Sequence, residues 1–250
     1  MPHFDLPHIP NNKSEQLNIH NKIDPHTHSS RLSEIILGGQ DGLVNTLGVI
    51  LGVAAATSDP RIVLAAGMAA AFAESVSMGA VAYTSTLAEN DLYKSEKERE
   101  YRHIRLVPEL EVQEIRDVYA SKGFEGEMLE KIVGVITSNP DVWVEVMMSE
   151  EHQLTPPSRQ GGAVKSALIV GISAIIGSLI PLVPFPFLPV VMSMIVSSII
   201  AALTLFAVGV YKARVTVGNP GKSGLEMAVI GMLSALAGYV VGLLFRVPAL

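Results

Sequence analysis

Five long apolar stretches decide what solvent this chain can fold in. A helix crossing the hydrocarbon core of a bilayer needs about 20 mostly apolar residues, and five segments meet or approach that length: Ile35 to Thr57, Ile62 to about Leu87, Ala163 to about Leu182, Leu188 to Tyr211, and about Leu225 to Phe245. Charged residues make up only 17% of the chain and its mean hydropathy is +0.39, too apolar for an ordinary soluble domain. Lipid offers the backbone no hydrogen bonds, so each crossing must satisfy its own as a helix. The expected fold class is all-α: a polytopic membrane protein with five transmembrane helices and a cytoplasmic helical insert between helices 2 and 3.

The joints agree with this division. Ser58, Asp59, Pro60 and Arg61 form a tight turn that makes the first two spans antiparallel; Pro181, Pro184, Pro186 and Pro189 punctuate the joint between spans three and four, and Pro220, Gly221 and Gly224 separate spans four and five. Arg31, Arg159, Lys165, Lys212, Arg214 and Lys222 fall on one side of the membrane, Arg61 and Arg246 on the other. The positive-inside rule then puts the N-terminus and the insert in the cytoplasm. Glycines recur four apart at Gly38 and Gly42, Gly48 and Gly52, and Gly238 and Gly242, a spacing for close helix approach within one subunit or between two.

Four regions follow: a His-bearing tail (1–32), spans one and two (33–87), the insert (88–162) and spans three to five (163–250). The tail carries His3, His8, His20, His26 and His28 and has no apolar run resembling a signal peptide. It reads as disordered, with loose metal gathering as the alternative. The insert holds sixteen of the chain's 24 acidic residues. Its residues 89–105 lack a helix breaker and extend the second span, and three further helical stretches run from Glu109 to Ser121, Glu125 to Thr137 and Asp141 to His152.

Polar groups in apolar surroundings are the candidates for function. Asp41 lies in the first span and Glu74 in the second, where a carboxylate is costly without a partner or a cavity. Met78 is one turn beyond Glu74, and the antiparallel pairing brings it to the depth of Asp41. Carboxylates suit hard divalent cations, and a thioether favours transition metals. Packing for Met78 and local hydrogen bonding for Asp41 are the alternatives. In the insert, Glu96, Glu100 and His103 share one helix face, Glu111 and Glu114 stand one turn apart, and Met147, Met148 and Glu151 lie on the last helix. Glu100-x-x-His103 has the spacing of carboxylate-bridged metal sites; a solvated acidic face is the plainer alternative. Cysteine is absent, so thiolate ligation and disulfides are excluded. No Walker loop, covalent-catalysis constellation or nucleic-acid-binding pattern is present.

Several of these segments together resemble the vacuolar iron transporter family from about Ser33 onward. Gly38-Gly39-Gln40-Asp41-Gly42 is similar to its opening Gly-x-x-Asp-Gly signature, Ser77-Met78-Gly79 with Tyr83 to the end of its second helix, and Val107-Pro108-Glu109-x-Glu111-x-x-Glu114 to its soluble segment. Asn139-Pro140, Trp143, Met147-Met148 and Glu151 match that domain's last helix, and Leu179 to Pro184 matches the proline-rich joint. The resemblance implies a homodimer that exchanges cytoplasmic Fe²⁺ for protons across a vacuolar membrane, or the plasma membrane in a prokaryote. Mn²⁺, Co²⁺ and Zn²⁺ are further possible substrates. Asp41 and Met78 would line the path, and Glu100, Glu111, Glu114, Met147, Met148 and Glu151 would collect the ion. His103 stands where the plant pattern usually has a glutamate, Glu74 stands where plant members have a small residue, and Ala70 replaces their glutamate one turn earlier. A membrane-anchored, ferritin-like ferroxidase is the competing expectation; it would need neither Asp41 nor Met78.

Overall fold

The computed structural model describes residues 29–57, 59–156, 162–216 and 218–245, and those residues are almost entirely helical. Residues 1–28 of the His-bearing tail, Ser58, Arg159 and Arg246 lie outside them, while residues 29–32, expected in the disordered tail, are the start of the first helix. The helices are α1 (Ser29–Ala56), α2 (Pro60–Leu106), α3 (Pro108–Ser121), α4 (Gly126–Thr137), α5 (Pro140–Val146, continued by a π turn at Met147–Glu151), α6 (Ala163–Leu179), α7 (Val190–Val215) and α8 (Pro220–Leu244). Five of them, α1, α2, α6, α7 and α8, are long and apolar enough to cross a membrane.

Helix α2 fixes the plan of the molecule. Asp59 caps its start by accepting from the Arg61 amide at 2.8 Å, and Pro60 occupies the first turn, where no amide donor is needed. It then runs 47 residues without a break, about 70 Å at 1.5 Å per residue, more than twice the hydrocarbon thickness of a bilayer. The extension expected from residues 89–105 is therefore present. The helix stops at Leu106 because Pro108 disfavours the helical conformation at Val107, which sits at φ −137°, ψ 50°.

Helix α1 is the centre of the membrane bundle. It packs against α6 and α8 along its length and also touches α2 and α7, burying Leu43, Leu47 and Ile50 with Leu182, Phe185, Ala201, Leu205 and Ala235. Gly38 and Gly42 let the backbone of α6 approach at Val170 and Ala174, while Gly52 meets Gly238 and Gly242 of α8. The four-residue glycine spacing thus serves packing inside one subunit. Helix α6 is held on its other side by α2, where Ser75 Oγ donates to the Gly171 carbonyl at 2.7 Å. The proline-rich joint would leave carbonyls unpaired, and serines of α7 take them up: Ser197 Oγ donates to Pro181 O at 2.5 Å and Ser193 Oγ to Leu188 O at 3.1 Å.

The insert closes on the distal half of α2. Gly123 and Gly126, at φ +91° and +58°, reverse the chain between α3 and α4 in a conformation other residues rarely adopt. Asn139 caps α5 through the Asp141 amide at 2.9 Å. Ile115, Leu129, Val133, Ile136, Trp143 and Met147 form the core, and Ile104 of α2 packs on it. Tyr101 donates to Asp141 at 2.6 Å, tying α2 to α5. The last stretch departs from expectation. Asp141 to His152 is not one α-helix: after Val146 the chain widens into a π turn in which the His152 amide donates to Met147 O at 3.2 Å. The wider turn carries Met147 and Met148, and both are buried.

These contacts predict opposite outcomes for two glycines. A Cβ at Gly177 would overlap the Gly39 backbone, whereas one at Gly134 meets open space. Gly177→Ala should lower stability by about 1–3 kcal/mol, read as a lower Tm in detergent, and Gly134→Ala should leave Tm unchanged or raise it. Equal effects would refute the close approach of α1 and α6.

Candidate metal centre

The distal half of α2 and the first turn of α3 bring unlike ligand types together. Glu100 is 2% exposed and Glu111 3%. Between them stands His103, whose Nδ1 is 3.4 Å from Glu111 Oε1 and 3.8 Å from Glu100 Oε1. One ligand atom from each of the three lies within 4.8 Å of the others. The local reason is simple: i, i+3 spacing stacks His103 over Glu100 on α2, and the Val107-Pro108 corner folds Glu111 back against them.

Two features separate this cluster from a solvated acidic face. Glu100 Oε2 and Glu111 Oε2 are both buried with no hydrogen-bond partner, and no lysine or arginine pairs with either carboxylate among the described residues. Burial, then the charges of Glu114, Glu100 and Glu151, push the Glu111 carboxyl up to about 7. Burial and the Glu114 charge also push Glu151 up, against the pull of His152. Buried carboxylates that repel one another, beside an imidazole, offer donor atoms that could hold a metal ion.

The other expected residues divide. Glu114 and Glu151 act on Glu111 through their charge, and Met148 is buried on the π turn. Met147 belongs to the apolar core of the insert. Glu96 lies one turn before Glu100 and is held by Arg99 at 2.8 Å, and its charge is felt at His152. His152 is the residue that helix periodicity misses. Its Nε2 is 3.0 Å from Glu100 Oε1. Burial lowers the His152 pKa, but Glu100, Glu151 and Glu96 raise it more, and the net shift is upward.

A second polar group sits within the bundle. The Glu74 carboxyl of α2 is in hydrogen-bonding reach of Asp41 and Asn45 of α1. Met78 follows one turn along α2 and is half-buried. The two centres share α2 but are separate: Glu74 and Glu100 are about 39 Å apart along the helix axis.

A sequence model of the VIT family matches residues 32–243. The chain belongs to that family. Vacuolar iron transporter 1 of Tulipa gesneriana is 31% identical over 231 residues, covering 92% of this chain and 93% of the tulip protein. Vacuolar iron transporter 1 of Arabidopsis thaliana is 33% identical over 207 residues, 82% of each chain, and the vacuolar iron transporter of Plasmodium falciparum is 28% identical over 246 residues, 93% of this chain and 90% of that one. The resemblance seen in the motifs thus extends over nearly the whole VIT-family chain.

The electrostatics give a pH dependence with a definite sign. An ionised Glu111 attracts a cation better than a protonated one, so affinity of the protein for Co²⁺ should rise as pH rises through about 7. In the metal-free protein the linkage is opposite. A raised carboxyl pKa contributes stability below the ordinary value of 4.5, and that stability is lost as pH rises through about 7. Glu111→Gln should flatten both profiles; calorimetric titrations with unchanged slopes would refute the assignment.

Proposed function

We propose that this chain is a proton-coupled transporter that carries Fe²⁺ out of the cytoplasm, with Mn²⁺, Co²⁺ and Zn²⁺ as secondary substrates. The observation that carries the reading is the placement of two cation-suited centres on one helix: an imidazole–carboxylate cluster at the water-facing end of α2, and the Asp41–Glu74 pair within its apolar half. The names of the relatives, all vacuolar iron transporters, support iron as the cargo.

In this reading Glu100, Glu111, Glu114 and Glu151 attract the ion, with His103 as a nitrogen donor, Met147 and Met148 as soft donors, and Glu96 as an outer charge. The ion then passes to Asp41 and Met78. A hydrogen bond between two carboxyl groups needs one proton, so a cation arriving at Asp41 and Glu74 displaces it. That exchange is the chemistry of antiport. The bundle's lysines and arginines support an insert on the cytoplasmic side: Arg31, Lys165, Lys212, Arg214 and Lys222 all lie at helix ends where α1, α6 and α8 begin and α7 finishes.

A homodimer completes the path. In one subunit Asn45 is exposed and Asp41 and Glu74 are only half-buried, on helices that face lipid. Polar groups at that depth need a covering partner, and a second copy supplies one with matching groups. The membrane is vacuolar by the relatives' names, or the plasma membrane in a cell without a vacuole. A ferritin-like ferroxidase would use the insert alone and leave Asp41 and Glu74 without a role.

Anaerobic Fe²⁺ uptake into proteoliposomes, with internal pH read in parallel, tests the proposal. Wild-type protein should move Fe²⁺ against protons. Asp41→Ala should reduce flux to the level of empty liposomes while calorimetric metal binding persists, and Glu111→Ala with Glu114→Ala should weaken binding and slow flux without stopping it. Bound iron without flux in the wild type, accompanied by O₂ consumption when air is admitted, would replace the transporter with the ferroxidase.

A further inference from the structure

Glu100 is the most deeply buried carboxylate of the insert, and two imidazoles approach the same oxygen of it. His152 Nε2 is 3.0 Å from Glu100 Oε1 and His103 Nδ1 is 3.8 Å from it. Glu100 Oε2 is buried without a partner, so the two histidines leave half of the carboxylate's acceptor capacity unused. We propose that His152 is itself a metal ligand through Nε2, and that the centre presents two imidazoles. This rests on the capture role given above to the insert.

Two separations fit ligation, and binding would draw His152 towards the Glu100, His103 and Glu111 group, whose ligand atoms lie within 4.8 Å of one another. Atoms bound to one ion at about 2.1 Å stand roughly 3.0–3.5 Å from one another around it, and the Glu100–His152 and His103–Glu111 separations of 3.0 and 3.4 Å lie in that range. The backbone fits too. The π turn holds the His152 backbone through its amide bond to Met147 O. π turns inside α-helices are concentrated at functional sites. Neutral imidazole is a poor ligand for Mg²⁺ and Ca²⁺ and a good one for Fe²⁺, Co²⁺ and Zn²⁺. His152 therefore gives this chain selectivity that an all-carboxylate centre lacks.

The chain's histidine content makes the test direct. Of its seven histidines, five lie in the tail and the others are His103 and His152. Full-length protein carrying His3→Asn, His8→Asn, His20→Asn, His26→Asn and His28→Asn, labelled with ¹⁵N-histidine, has only two imidazole rings to observe. On titration with Zn²⁺ both rings should show a nitrogen moving to the metal-bound position, Nε2 in His152. His152→Gln keeps an amide donor for Glu100 but is a weak ligand. It should remove one of the two signals and weaken Co²⁺ binding at least about tenfold, with Ca²⁺ binding changed by less than about twofold. The single tryptophan, Trp143 in the insert core, reports by its fluorescence that the variant remains folded. Zn²⁺ binding that moves only the His103 ring, or Co²⁺ affinity unchanged in a folded His152→Gln, overturns the ligand role and leaves the capture role standing. Absence of any Zn²⁺ binding overturns both.

Discussion

Among the described residues, the candidate cation-binding groups are arranged along or against α2, and the constraint behind that arrangement is the continuity of its backbone. A helix has no internal requirement to stop at a membrane surface; it stops where a proline or an uncapped end forces it to. Between Pro60 and Leu106 nothing does. The apolar half satisfies its backbone in lipid and packs on α6, while the polar half stands in water as the post around which α3, α4 and α5 fold. The insert is small for an independent domain, with a core of a few aliphatic side chains, Trp143 and Met147. Ile104 and Tyr101 of α2 supply the missing wall and a tether.

The electrostatics of the insert divide by burial. Arg116 and Glu130 form a two-bonded pair at 2.9 and 3.1 Å on the surface, where water screens them and the net contribution is small. Glu100 and Glu111 face the imidazoles of His152 and His103 at 3.0 and 3.4 Å, and the second oxygen of each is shut away from solvent without a partner. A folded protein tolerates that arrangement only where the cost is offset when a ligand arrives. The same reasoning applies with more force at Asp41 and Glu74, where the surroundings are hydrocarbon. A bound cation would offset the stability given up in the empty state.

Packing within the bundle shows how small residues are used. Each of the glycines at the α1–α6 and α1–α8 contacts removes a side chain where two backbones meet, which in lipid is a main source of helix association. Because these glycines are consumed inside one subunit, they do not supply a subunit interface. The polar groups left half-covered on α1 and α2 give a better indication of where a second copy would sit.

By itself the sequence determined the all-helical class of fold, five helices long and apolar enough to cross a membrane, and most of the helices between the second and third of them. These follow from local rules: apolar length, proline and glycine punctuation, and helix periodicity. Family membership was legible for the same reason, since the motifs around Asp41, Met78, Pro108 and Met147 are contiguous. Only the tertiary structure decided which glycines face which helix, that Glu74 lies near Asp41, and that His152, 52 positions along the chain, meets Glu100. Helix periodicity says which side chains share a face, but not which faces meet. The π turn also breaks the periodicity at the one place where following it would have missed a histidine.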